Sequence, residues 1–498
     1  MLNPLPTQNW NYETATHLLN RAGFGGTPQE IQNLTKLGPD QAIASLLDYE
    51  KIPDKTADPT WAHPDPQYFA ALRQEIKAAK ATDVKGIRDA ENHQEAARIL
   101  ELRGWWLNRM AYGPRPFQEK MTLFWHGHFA TSIEKVRQAP NSAYLMWRQN
   151  ELFRRLATDN WLRLMIEAGR DPAMLVWLDQ WQSRKEHPNE NYARESMELF
   201  SLGEGHYTEK DVTEAARALT GWSYVPEDSA FVYRPAFHDD GTKTILGLTG
   251  QLTGEDFLAQ VIRQPQATLF ITAKIWNFFA GQMPSPELNQ ALANVLTDNG
   301  NVFKPFLRTM FRSEEFYSDS IVRNAVKSPV QWLVGSARML QCQLPPPFIS
   351  TAILRGLGQD LLAPPNVKGW DGGMSWITTN TLLDRYNDAT TIVNGTAQQL
   401  SPDDFARKPG GNGGDRLAKL AQHIHVGGVD VDKILTTDEC ADKNMLVNSL
   451  EHRLLQSSLS EDQEKGLRDF LHSKTVLTNS DILTAVRLVM STPEYQVV

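Results

Sequence analysis

Three stretches of the sequence concentrate the side chains that move protons or hold metals. The first is Phe124-Trp125-His126-Gly127-His128-Phe129. On a strand, His126 and His128 would share a face and could ligate a metal together. On a helix they stand about 200° apart and cannot chelate jointly. Phe117, Met121, Phe124, Trp125 and His128 form a helical stripe. Joint ligation therefore requires unwinding at Gly127, and the competing role for His128 is that of a core histidine.

The second stretch runs from Pro188 to Phe200. Asn189 can cap a helix whose Glu195 and Glu198 are i, i+3 neighbours on one face. Two carboxylates so placed can bind a divalent ion, or act as acid and base with separated pKa values. The plainer reading is a charged, solvated face, with Glu190 and Arg194 as an i, i+4 ion pair. His206 follows on a loop after Gly203 and Gly205, where it could reach an adjoining cleft. The third stretch is Phe237-His238-Asp239-Asp240-Gly241, which offers metal ligands, an acid–base pair, or simply an Asp-Asp-Gly turn.

Across the three, His126, His128, His238 and Asp239 are the candidate metal ligands. Glu195, Glu198 and His206 are the candidate catalytic groups, and the implied cofactor is a divalent metal ion. A fourth stretch, Pro364 to Trp376, puts Trp370 and Trp376 on a Gly-rich loop. They could stack on a sugar or other flat ligand, or pin the loop to the core. No nucleophile elbow, H-E-x-x-H, P-loop or dinucleotide glycine pattern is present.

Helices must position these groups. Thr27-Pro28-Gln29-Glu30 is a capping box with Pro at N1, and Thr208 with Asp211 is a variant of it. The spacing predicts a short helix from Asp40 to Asp48 and a long polar helical region over 67–112, broken near 83–86. Further helices are expected at 143–157, 159–168, 171–182, 189–202 and 208–220, then at 255–263, 266–280, 286–298, 302–313, 329–341 and 378–394. Residues 223–254 turn Pro-, Gly- and Asp-rich, with Phe231-Val232-Tyr233 and Thr244-Ile245-Leu246 suited to one small hairpin. The expected fold is mainly α: a core domain over 1–400, the glycine-rich linker Lys408 to Gly414, and a small helical region over 415–498.

Composition narrows the classes. With 41% apolar and 22% charged residues, the 498-residue chain can bury a real core. The formal charge of −9 argues against a nucleic-acid partner held by charge. Cys342 and Cys440 are the only cysteines, which excludes a disulfide framework and a Cys-rich zinc site. No apolar run is long enough to span a membrane. Met1 to Trp10 has no basic or apolar leader character, so the expectation is cytoplasmic, with export beside a partner left open. All 14 Trp lie at or before Trp376.

Taken in order, these stretches resemble the large bacterial family known as domain of unknown function 1800. The matching pieces are His17 to Gly25, Glu119 to Phe129, Arg170 to Leu175, Asn189 to Leu199, Gly203 to Trp222, His238 to Gly241, Lys327-Ser328-Pro329 and Pro364 to Trp376. Pro493-Glu494-Tyr495 fits as well. The resemblance implies a mainly helical protein with no assigned activity. Such proteins are often exported and encoded beside proteins resembling sulfatases and alkaline phosphatases, which implies a partner of that kind. Three functions stay open: a metal-dependent hydrolase or oxygenase, a non-catalytic scaffold or accessory subunit of that partner, and a carbohydrate-binding protein.

Overall fold

The computed structural model describes residues 1–395, 428–455 and 457–498, apart from the side chains of residues 81 and 82. It is 64% helical, with 24 α-helices among the described residues. The linker at Lys408 to Gly414 and the expected boundary between 400 and 415 lie outside the described residues.

Capping chemistry sets most helix starts. Helix α1 (Tyr12–Ala22) begins at Asn11, and α2 (Pro28–Leu47) at the Thr27/Glu30 capping box. The separate helix expected from Asp40 is instead the second half of α2, which bends at Gly38 with φ 74°. The polar region is two helices, α3 (Pro66–Ala78) and α4 (Ala81–Tyr112). Their break falls at the extended Ala79, a few residues before the expected one.

Helix α5 (Pro116–His128) is buried on nearly every side. It packs on α1, α2, α4 and α7 (Ser142–Arg155), while α6 (Ile133–Val136), α8 (Trp161–Gly169) and α9 (Pro172–Trp177) gather around α7. The helix expected over 171–182 stops at Trp177, because left-handed Asp179 (φ 58°) breaks it before a single 3-10 turn at Gln180–Gln182. Helices α10 (Glu190–Glu198) and α11 (Glu209–Leu219) follow.

The irregular segment holds two hairpins rather than one. Strand β1 (Trp222–Val225) pairs antiparallel with β2 (Ala230–Tyr233), in the register Trp222 opposite Tyr233. Strand β3 (Lys243–Ile245) pairs with β4 (Leu248–Gly250). The two β-prone runs noted in the sequence therefore sit in different hairpins.

Helices α12 (Gly254–Ile262), α13 (Pro265–Ala280), α14 (Pro286–Asp298), α15 (Phe303–Arg312), α16 (Pro329–Met339), α17 (Pro347–Gly356) and α18 (Thr379–Asn394) complete the larger part. The rest comprises α19 (Val431–Ile434), α20 (Thr437–Ala441), α21 (Lys443–Leu450), a π-turn at Glu451–Leu455, α22 (Glu461–His472), α23 (Asn479–Met490) and α24 (Pro493–Gln496). No helix among the described residues is long and apolar enough to cross a membrane.

Most of the buried apolar side chains among the described residues form one continuous cluster from Leu5 to Tyr495. The tryptophans supply much of its bulk: Trp106, Trp125, Trp161, Trp276 and Trp332 are each under 2% exposed. At the heart of α5, Trp125 stacks on Trp161 with centroids 5.8 Å apart and donates to the Ala157 carbonyl. Beside it, buried Glu119 accepts from Trp106 Nε1 (2.9 Å), Arg109 Nε (2.9 Å) and Arg154 Nε (2.7 Å). Burial pushes the Glu119 pKa up, but Arg154 and then Arg109 hold it below the usual value.

Residues near both ends of the chain clamp one stretch. Pro4 bridges Ser313, and Val326 bridges Val497, both antiparallel. The Tyr495 hydroxyl meets Ser336 Oγ at 2.6 Å, and Arg385 donates to Gln496 Oε1 at 3.0 Å.

Candidate functional site

Helix α10 is amphipathic. Tyr192, Ala193, Ser196 and Met197 face inward, while Glu195 and Glu198 are half-buried on the outer side. Its start is fixed by Asn189, whose Oδ1 accepts from the Asn191 N–H while its Nδ2 donates to the Leu178 carbonyl. The loop after α10 turns through Gly203 and Gly205, both at φ 82°. That turn carries Tyr207 back over the helix, where its hydroxyl donates to Glu198 at 2.8 Å.

The two carboxylates therefore differ in surroundings. Burial, followed by the neighbouring charge of Glu198, raises the pKa of Glu195, against the opposing pull of Arg194 and Lys368. Burial and the contact with Glu198 likewise raise that of Tyr207, keeping its phenol protonated as a donor. Arg194 pairs chiefly with Glu209 (2.8 and 2.7 Å), and its contact with Glu190 is longer at 3.5 Å. His206 is exposed and has no hydrogen-bond partner among the described residues.

Lys368 reaches this region from the loop at 364–376. The loop is pinned at Gly369 (φ 85°), where a Cβ would lie only 2.4 Å from the Gly127 carbonyl oxygen. This contact seats Trp370 over the end of α5, its ring 5.6 Å from that of His126. Trp370 is half-buried, whereas Trp376 is only 7% exposed and lies against Gly358. Trp376 thus has no free face for a ligand and acts as a loop anchor.

The four expected metal ligands are dispersed. Helix α5 stays wound through Gly127, so His126 and His128 point apart. His126 Nε2 accepts from the Leu362 N–H at 3.1 Å, and its ring meets Trp106 edge-on. His128 Nε2 donates to the Phe200 carbonyl at 3.1 Å. His238 Nδ1 donates to the Thr220 carbonyl at 2.9 Å. Asp239 is held by Arg217 through two hydrogen bonds. No group of three or more His, Cys, Asp or Glu among the described residues is placed to hold a metal ion.

Tyr207, Lys368 and Lys274 stand outside the candidate groups marked in the sequence. Lys274 donates to the Leu199 carbonyl at 3.3 Å, and burial lowers its pKa to about 8. Its signal was legible: it is the only charged residue in the 16-residue α13.

The family model described as "Protein of unknown function (DUF1800)" matches residues 17–497. The chain belongs to this family. No curated protein and no solved structure matches it. In this DUF1800 chain the match takes in α5, α10, the loop at 364–376 and the helices beyond residue 428, so it also covers the interval between Trp376 and Pro493 that carries none of the matching motifs.

Proposed function

We propose that this DUF1800 protein is a hydrolase that moves protons through the Glu195–Glu198 pair. The observation that supports this reading is the unequal setting of two carboxylates one helical turn apart. Glu195, its pKa raised by burial and by Glu198, is suited to deliver a proton to a leaving group. Glu198, oriented by the Tyr207 hydroxyl, is suited to take a proton from the attacking water. Lys368 supplies positive charge near the charge that develops on the substrate. A divalent ion on the same carboxylates is the cofactor variant of this reading.

The test is a panel of p-nitrophenyl carboxylate, phosphate, sulfate and glycoside substrates, each with Mn²⁺, with Zn²⁺ and with a chelator. At least one class should turn over, and Glu195→Gln and Glu198→Gln should each lower the rate by about 100-fold or more at unchanged melting temperature. Failure to turn over any class, or variants as active as the parent, overturns the proposal. Loss of activity with the chelator alone selects the metal-assisted form.

A further inference from the structure

A second region has the marks of a ligand site. A cavity of about 620 Å³ opens between α1, the residues preceding α16, the π-turn at Glu451–Leu455 and Val498. That volume lies within the ordinary range for small-molecule pockets. One wall is apolar, with Val322, Met339, Leu454, Leu455 and Val497.

The polar groups in it are incompletely matched. Lys327 lines the cavity yet is only 5% exposed. Its ammonium sits 3.7 Å from the centroid of the Tyr495 ring and has no hydrogen-bond acceptor or carboxylate partner among the described residues. Burial, followed by the like charge of Arg385, lowers its pKa to about 7. Thr16, also 5% exposed, has a buried hydroxyl without a partner.

Neither acidic side chain of the lining completes this site. Glu451 accepts from the Leu459 N–H at 2.9 Å, and burial raises its pKa. Glu13 is exposed at the rim. His17 donates to the Phe316 carbonyl, and burial together with Arg21 keeps it neutral, its pKa lowered to about 3. A buried hydroxyl left unmatched, and an ammonium held only against an aromatic ring, are costly unless something completes them.

We infer that this cavity binds an organic anion, with one carboxylate head on Lys327 and Thr16 and an apolar body along Met339, Leu454 and Leu455. The chemistry separates such a ligand from a bare inorganic anion, which would leave the apolar wall unused, and from a neutral alcohol, which would leave the ammonium unpaired.

Calorimetry on the full-length protein tests this with three probes: octanoate, 1-octanol and inorganic phosphate. Octanoate should bind at one site per chain. Lys327→Met should weaken it by about tenfold or more, and Thr16→Val by a smaller factor. Thr16→Val deletes only a hydroxyl, so it keeps the test open if the Lys327 variant misfolds. The inference is overturned if octanoate does not bind, if 1-octanol binds equally well, if phosphate alone binds, or if the folded variants retain parental affinity.

Discussion

Tyr207 and Glu198 are joined by a 2.8 Å hydrogen bond that runs from phenol to carboxylate. It ties the loop after α10 to the helix and sets Glu198 apart from Glu195, whose carboxyl has no such donor among the described residues. After burial, the charge of Glu198 is the next cause that raises the pKa of Glu195.

Removing the Glu198 charge should therefore be felt at Glu195. In Glu198→Gln the pKa of Glu195 should fall towards the ordinary carboxylate value, yet remain above it, because burial is the larger cause and is unchanged. Carboxyl-carbon NMR titration of the two proteins reads this directly. An unaltered Glu195 titration would show the two groups to be independent.

The Glu119 cluster should be fragile to single cuts. Arg154→Met leaves a buried carboxylate with only Arg109 and Trp106, and should cost about 3–5 kcal/mol. Urea denaturation measures it. A loss under about 1 kcal/mol would mean that water reaches Glu119 in the variant.

Gly369→Ala should be damaging on two counts. The left-handed φ disfavours a side chain, and the new Cβ would collide with the Gly127 carbonyl. A loss of about 1–3 kcal/mol is expected, with a change in tryptophan emission as Trp370 leaves the end of α5. Gly205→Ala, with open space around its Cβ, should show only the conformational part of this cost.

Stability should rise with pH in two separate windows. His17 and His126 have pKa values lowered to about 3 by burial, helped by Arg21 and Arg103, and His128 is lowered too by burial and Lys274. The unfolded chain then binds more protons, so stability falls as pH drops below the ordinary histidine value of about 6.5. Lys120 and Lys327 have pKa values lowered to about 7, chiefly by burial. Their contribution runs the same way at higher pH, so stability rises from about pH 7 towards the ordinary lysine value of about 10.4. Melting curves of the parent and of a Lys120→Met/Lys327→Met double variant should diverge below pH 10 and converge above it.

The sequence was most legible where the physics is local. The Thr27/Glu30 and Thr208/Asp211 boxes form as expected, because each needs only one helical turn. The mainly helical fold followed from such signals. The fates of His126 and His128 were hidden, since their partners Leu362 and Phe200 lie 236 and 72 residues away. The same holds for Lys368, whose effect on Glu195 exists only once the loop at 364–376 has docked. Trp376 shows the limit from the other side: a glycine-rich setting allowed a ligand platform, and the contact with Gly358 turned the ring into an anchor. The pairing of β1 with β2 could not be read from Phe231 to Tyr233 alone, because the β-prone run Trp222 to Val225 is only four residues long and is separated from α11 by just two residues.

The bridge between Val326 and Val497 has a consequence for synthesis. Tyr495 and Ser336 are 159 residues apart in the chain, so α16 leaves the ribosome long before its covering tyrosine exists. During that interval Lys327 has no aromatic ring over it, and the cavity beside it lacks a wall. Until residues 493–498 are made, Ser336 and Lys327 therefore stay without the cover that Tyr495 gives them in the folded chain.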